Sequence, residues 1–237
     1  SFTNMWIVVP VKRFSNAKTR LSEVLSPAER ESLAQVMLND VLEAISKSRL
    51  VSGILVVSNE PRARYAAERA GGLFLLEEEL GVSQAIVKAS KWLKNHGQRC
   101  FMMLPSDIPL VNSGEIDLLI GGHSGSVGVT LVPDRRQEGT NGLIVSPTDA
   151  IPFCFGHGSF AKHVNACRRA SIEPQISHAD GISLDIDSPL DLTHLLSHDG
   201  DTESLDYLAD NGVIKRLAGV LESDDIKSEI MAASRLM

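Results

Sequence analysis

The sequence predicts an α/β fold, a mixed but mostly parallel sheet with helices on both faces, and three observations carry that expectation. Short continuous apolar runs, too brief for buried helices, alternate with stretches of helical periodicity. Two of the helical stretches open on Ser-Pro with an acidic residue three positions after the serine, a capped, proline-started form in which the missing N–H costs nothing. Glycines stand where several others should stop.

In chain order, Met5 to Val11 (MWIVVPV) reads as a central strand that feeds the basic stretch Lys12 to Arg20. Ser1 to Asn4 precede Met5 and read as a cloning remnant, with Met5 the natural start. Ser26-Pro27-Ala28-Glu29 opens a helix whose apolar stripe, Leu33, Val36, Met37, Val41, Ala44 and Ile45, runs to about Ser48. Strand Ile54 to Val57, helix Pro61 to Ala70 with a Gly71-Gly72 stop, strand Leu73 to Leu76, helix Ser83 to His96 closed by Gly97 and strand Cys100 to Leu104 follow. That order places parallel strands side by side under crossover helices. Beyond Pro105 the rhythm loosens: a short helix near Glu115 to Ile120, a turn at Gly121 to Ser126, and strands Val127 to Val132 and Leu143 to Val145. Next come a helix Ser159 to Ala170, a strand around Ile182 to Ile186 and the second capped start at Ser188-Pro189-Leu190-Asp191. Past His198 an acidic linker leads to helical stretches Leu205 to Leu221 and Asp224 to Leu236. The division expected is therefore one domain over 5–197 and a C-terminal helical extension over 198–237, an element through which a homodimer could form.

The 237 residues are 43% hydrophobic and 22% charged, enough for a full core. No run approaches the roughly 18 apolar residues of a membrane span, so no membrane partner is expected. A net charge of −7 argues against broad contact with nucleic acid, which demands a basic face. Any phosphate site must then be local. Cys100, Cys154 and Cys167 show no C-x-x-C spacing and read as reduced structural thiols of a cytoplasmic protein.

Ligands of open α/β sheets bind beyond the carboxyl ends of the strands, so polar clusters after each expected strand are the candidates. Lys12, Arg13, Lys18 and Arg20 follow the first strand and suit a triphosphate, or equally a solvated basic loop. The chain has neither a G-x-x-x-x-G-K-[ST] nor a G-x-G-x-x-G loop, so side-chain charge would replace backbone cradling. Asp107, in Leu104-Pro105-Ser106-Asp107-Ile108-Pro109, sits in a turn stiffened by two prolines, where it suits a magnesium ion or a local hydrogen bond. In Leu184-Asp185-Ile186-Asp187, alternation puts both carboxylates on one face, where they repel unless a cation lies beside them. Gly139-Thr140-Asn141-Gly142 and Phe155-Gly156-His157-Gly158-Ser159 offer hydroxyls and free N–H groups to an acid or phosphate, or form plain turns. His157 and His163 flank this region and are not assigned catalysis.

Taken together, V-P-V-K-R-F-S-N-A-K-T-R-L, L-P-S-D-I-P-L, G-T-N-G-L, F-G-H-G-S-F-A-K-H and L-D-I-D-S-P-L-D-L resemble the CofC family of guanylyltransferases in order and spacing, from Trp6 to Leu196. The resemblance implies a Rossmann-like nucleotidyltransferase fold of the GT-A type and a step in coenzyme F420 biosynthesis. Such enzymes transfer GMP from GTP to a three-carbon phospho-acid, 2-phospho-L-lactate, phosphoenolpyruvate or 3-phosphoglycerate, and release pyrophosphate. Carried over, it implies Mg²⁺ on Asp107, Asp185 and Asp187, with Asp107, Lys18 and Arg20 in catalysis. Thr140, Gly156 and Ser159 match phospho-acid contacts, with Lys12 shared between the two substrates. Lys12, Lys18, Arg20, Gly81 and Ser83 fall on the nucleotide side. One position departs: Gly81-Val82-Ser83 stands where the family usually has G-L-N, which puts base selection at issue. The alternatives are another nucleotidyltransferase of the same fold, acting on a sugar-1-phosphate or molybdopterin, and a non-catalytic nucleotide-binding protein. The first usually carries a glycine-rich opening loop, where this chain has Val11-Lys12-Arg13-Phe14.

Overall fold

The computed structural model describes residues 4–78 and 81–221. Its centre is β1 (Met5–Val11), buried along almost its whole length because parallel neighbours flank it on both sides. These are β2 (Val51–Ser58), longer than the Ile54 to Val57 run implied, and β4 (Phe101–Met103). The short β3 (Leu73–Leu76) pairs in parallel with β2 at the sheet edge. Three crossover helices make this parallel arrangement possible: α1 (Pro27–Ser46), α2 (Pro61–Arg69) and α3 (Val82–Asn95). The expected capping box of α1 is present, with Ser26 and Glu29 each accepting from the other's backbone N–H. Gly71 and Gly97 take positive φ values of 76° and 78° past the ends of α2 and α3.

Past β4 the connectivity changes. After α4 (Ser113–Gly122), strand β5 (Gly128–Pro133) runs antiparallel to β6 (Thr140–Ser146), and β6 antiparallel to β4. Next come α5 (Ser159–Arg169) and β7 (Gln175–Ile176), a two-residue strand beside β5 that the sequence pattern had not indicated. The sheet order is β3-β2-β1-β4-β6-β5-β7. Alternation along the strands divides the core by face: Ile7, Val9 and Val11 meet α1, α2 and α4, whereas Val8 and the inward residues of β5 and β6 meet α3 and α5. The turn expected at Gly121 begins two residues later, because α4 continues through Gly122.

The expected strand at Ile182 to Ile186 is corrected. It is a short helix, α6 (Asp180–Ser183), followed by an extended segment outside the sheet. Gly181 explains the change, since a Cβ there would collide with the Leu110 carbonyl, and its N–H donates to Glu115 at 2.7 Å. The chain is thereby docked on the loop after β4 instead of on a strand. Ile186 donates its N–H to the Asp107 carbonyl at 3.0 Å. The inferred alternation survives without a ladder, with Leu184 and Ile186 buried and Asp185 and Asp187 on the other side.

Beyond α7 (Pro189–Leu196), whose capping box joins Ser188 and Asp191, the stretch Leu205 to Leu221 is two helices, not one: α8 (Glu203–Asp210) and α9 (Val213–Leu221). Gly212, at φ 65°, makes the break. Leu208, Val213 and Leu217 are buried in one cluster with Leu33 and Met37 of α1 and with Leu184, Ile186 and Leu192. Asp40 of α1 accepts from the Glu203 and Ser204 N–H groups at 2.8 and 3.0 Å and so fastens the start of α8. The expected helix Asp224 to Leu236 lies outside the described residues. No helix among the described residues is long and apolar enough to cross a membrane.

Candidate active site

Two adjoining cavities open at the carboxyl ends of β1, β2 and β4, of about 400 and 350 Å³, and share Pro10, Lys12, Asn16 and Val82. Gly81 and Glu77 line the first; Lys18, Arg20, Asp107 and Asp187 line the second. The basic loop between β1 and α1 forms two single 3₁₀ turns, Phe14–Asn16 and Thr19–Leu21. Between them Lys18 takes φ 59° and ψ 39°, a left-handed conformation that costs a non-glycine residue on the order of 1 kcal/mol and persists only when other contacts enforce it. One such contact is buried Glu60, which accepts from the Phe14 N–H at 3.0 Å and from the Arg62 backbone and Nε at 3.2 and 3.0 Å. Burial alone would raise the Glu60 carboxyl, but these donors hold it below the usual carboxylate value. The Arg62 guanidinium also lies over the Phe14 ring, 4.8 Å from its centroid.

The left-handed turn aims the Lys18 ammonium between two carboxylates, 2.5 Å from Asp107 Oδ2 and 2.8 Å from Asp187 Oδ1. Arg20, largely exposed, stands 3.6 Å from Asp187 Oδ2. One oxygen each of Asp107, Asp185 and Asp187 lies within 4.8 Å of the others. Three elements thus converge: the loop after β4, the segment after α6 and the loop after β1. Asp185 is fixed by Asn141, whose amide donates to it at 2.9 Å and to the Ile182 carbonyl at 3.0 Å.

The charges in this cluster are unequal. Burial pulls the Lys18 ammonium down, but Asp107 and Asp187 outweigh it and hold the lysine firmly protonated. Burial raises Asp187 too, yet Lys18, a hydrogen bond from Asp185 and Arg20 bring it below the usual carboxylate range. Asp185 is pushed up to about 8, first by burial and then by its bond to Asp187 and the charge of Asp107. One lysine does not neutralise three partly buried carboxylates, and the rest is met by Arg20 beside Asp187 and by the readiness of the raised Asp185 carboxyl to hold a proton. A divalent cation supplies the charge that this proton replaces. The donors are all carboxylate oxygens, which a hard ion such as Mg²⁺ prefers, so the residues present fit that group.

On the other side of Asn141, Thr140 and Ser159 are both buried, and the Thr140 N–H donates to Ser159 Oγ at 2.9 Å. Gly156 lies in the loop before α5 at φ 108°, a conformation side chains rarely adopt. Ser83 accepts the Phe155 N–H at 2.9 Å and so ties the first turn of α3 to this loop. The expected residues therefore form three connected groups: Lys12 and Gly81 at the first cavity, Lys12, Lys18 and Arg20 with Asp107 and Asp187 at the second and Asp185 beside them, and Thr140, Gly156, Ser159 and Ser83 around the loop before α5. Sequence reasoning missed the supporting roles of Asn141 and Glu60. Asn141 stood inside the quoted G-T-N-G, where its amide can both donate and accept; Glu60 carried no signal.

A family profile described as guanylyl transferase CofC like matches residues 5–218. The chain belongs to this family. Among its relatives, the phosphoenolpyruvate guanylyltransferase of Sphaerobacter thermophilus is 35% identical over 191 residues, 81% of this chain and 92% of the relative. The 2-phospho-L-lactate guanylyltransferase of Methanothermobacter thermautotrophicus is 35% identical over 204 residues, 85% of this chain and 88% of the relative. Among solved structures, a nucleotidyl transferase from Methanothermobacter thermautotrophicus superposes with a TM-score of 0.60 at 12% identity, covering 89% of this chain and all of that one. A likeness at that identity bears on the fold alone, and it agrees with the nucleotidyltransferase architecture that the CofC resemblance implied. Both the family and the sheet are thus as expected.

Proposed function

We propose that this CofC-like chain transfers the GMP unit of GTP to a three-carbon phospho-acid of the 2-phospho-L-lactate, phosphoenolpyruvate or 3-phosphoglycerate class, with release of pyrophosphate, in coenzyme F420 biosynthesis. The observation that carries the reading is the meeting of a basic loop, three aspartates and a hydroxyl-bearing loop at one end of the sheet. In the reaction, an oxygen of the acceptor phosphate forms a bond to the α-phosphorus of GTP, and the bond from that phosphorus to the β-phosphate oxygen breaks. The acceptor oxygen is already ionised at neutral pH, so no general base is required.

The residues then divide the work of positioning and charge neutralisation. Gly81 and Lys12 hold the nucleotide in the first cavity, and Lys18 and Arg20 balance the charge of the departing pyrophosphate. Thr140, Ser159 and the backbone at Gly156 receive the acid. Asp107, Asp185 and Asp187 would hold Mg²⁺, which when bound neutralises phosphate oxygens and lets two polyanions approach. Incubation with Mg²⁺, each of the four nucleoside triphosphates and each acid, with products identified by mass, tests the reading. A GMP adduct of one acid together with pyrophosphate is expected. Absence of any adduct, or one built from a sugar phosphate, would overturn it.

A further inference from the structure

His163 is fully buried on α5, and its two nitrogens have different partners. Nε2 receives the backbone N–H of Cys154 at 2.9 Å, so this nitrogen carries no proton. The ring is neutral, with burial pushing it down to about 4. Its single proton therefore lies on Nδ1, which faces Thr140 Oγ1 at 2.9 Å and the Ser159 backbone, and toward both it can only donate. Thr140 Oγ1 is thus an acceptor in this bond, and its own hydroxyl proton is directed elsewhere. The same logic applies beside it, because Ser159 Oγ already accepts the Thr140 N–H at 2.9 Å. Two hydroxyl protons are thereby left for a third group, one residue along β6 from the Asn141 that fixes Asp185.

We infer that His163 is a positioning residue that sets the Thr140 hydroxyl as a hydrogen-bond donor to the anionic oxygens of the phospho-acid. The inference rests on the proposed transfer reaction and names how its acid site is built. A phosphate offers only acceptor oxygens, so a threonine free to turn its proton toward the ring would be of little use to it. The Cys154 N–H decides the tautomer, the tautomer decides the bond to Thr140, and that bond frees the donor. Phe155 packs edge-on against the imidazole, with ring centroids 4.7 Å apart, and restrains the ring. Because the ring is neutral, it adds no charge near the carboxylates.

Two substitutions separate the two nitrogens. His163→Asn places an amide nitrogen near the Nδ1 position and keeps a donor to Thr140, whereas His163→Gln reaches toward the Nε2 position and loses that donor. Steady-state kinetics should give His163→Gln a KM for the acid raised about tenfold, as for loss of one hydrogen bond to a charged group, with KM for GTP within about twofold. His163→Asn should stay within about threefold for both substrates. Thermal unfolding of both variants controls for a purely structural loss. An equal rise in the two variants, a matching rise in KM for GTP, or an unchanged KM for the acid in His163→Gln would overturn the inference alone. A wild-type protein that turns over none of the acids would overturn the transfer reaction and this inference together.

Discussion

In the proposed reaction the half of the sheet built from β1, β2 and β3 and the half built from β5, β6 and β7 would share one task, holding a polyanion, with different chemistry. The parallel half offers full positive charges on a loop strained at Lys18 and clamped by Glu60. The antiparallel half offers neutral hydroxyls, an amide and, from the segment after α6, carboxylates. Parallel strands need crossovers, so the loops after them empty at one end of the sheet, where cations can line a cleft. Antiparallel strands return at once, and residues from this half reach the same end only by being tied to one another, as Thr140 is to Ser159 and Asn141 to Asp185. The two halves should therefore fail in different ways when altered.

The largest expected effect is on turnover. Asp185→Asn should reduce kcat by about 10³-fold or more, equivalent to roughly 4 kcal/mol, as for loss of a metal carboxylate or an electrostatic stabiliser. It should not lower thermal stability and should raise it at neutral pH, because burial and the neighbouring carboxylates push the Asp185 carboxyl up to about 8 and so penalise its charged form in the fold. Asp187→Asn is the contrast: its carboxylate is held ionised by Lys18, so both turnover and stability should fall. Pyrophosphate release and a melting curve on the same samples would check both. Equal stability losses in the two variants would erase the distinction.

Next in size is packing. Leu208→Ala removes a fully buried side chain from the cluster shared with α1 and the segment that bears Asp185 and Asp187, and should cost about 2 to 5 kcal/mol in a denaturant titration. A loss below about 0.5 kcal/mol, the usual size for a surface site, would mean that α8 and α9 do not share the main core.

The smallest of the three is in acid. His163 falls from 6.5 to about 4 in the fold, so its contribution is present above about pH 6.5 and is lost as the pH falls through about 4. That is on the order of 3 kcal/mol at most. Because His163→Asn has no titrating group, the variant should lose less stability than wild type between pH 7 and pH 4. Identical acid curves for the two proteins would contradict the buried neutral ring, and with it the tautomer that frees Thr140.

How much of this was legible in the sequence follows the same division. In the parallel half, the ends of β1 and β3 and the starts of α1 and α2 were readable, since proline-started caps, stop glycines and continuous apolar runs are local signals. The other half depends on contacts distant in sequence. Nothing near Gly181 announces that Leu110 lies against it, so Ile182 to Ile186 read as a strand on its alternation alone. A two-residue β7 is below what periodicity can register, and the break at Asn211-Gly212 was a visible turn signal lost inside a longer helical pattern. The candidate site shows the same split. Its aspartates stood out because carboxylates after apolar runs are conspicuous, whereas Asn141, Glu60 and His163 act through partners that only the fold brings near.

The central claim is that Asp107, Asp185 and Asp187 together hold one divalent cation opposite the basic loop. Calorimetric titration of Mn²⁺ into the wild-type protein and into the three single Asp→Asn variants, with GTP present throughout, tests it most directly. The account predicts saturable binding by the wild type and at least about tenfold weaker binding by every variant, the usual scale for loss of a supporting metal contact. Affinities unchanged in all three variants would contradict it.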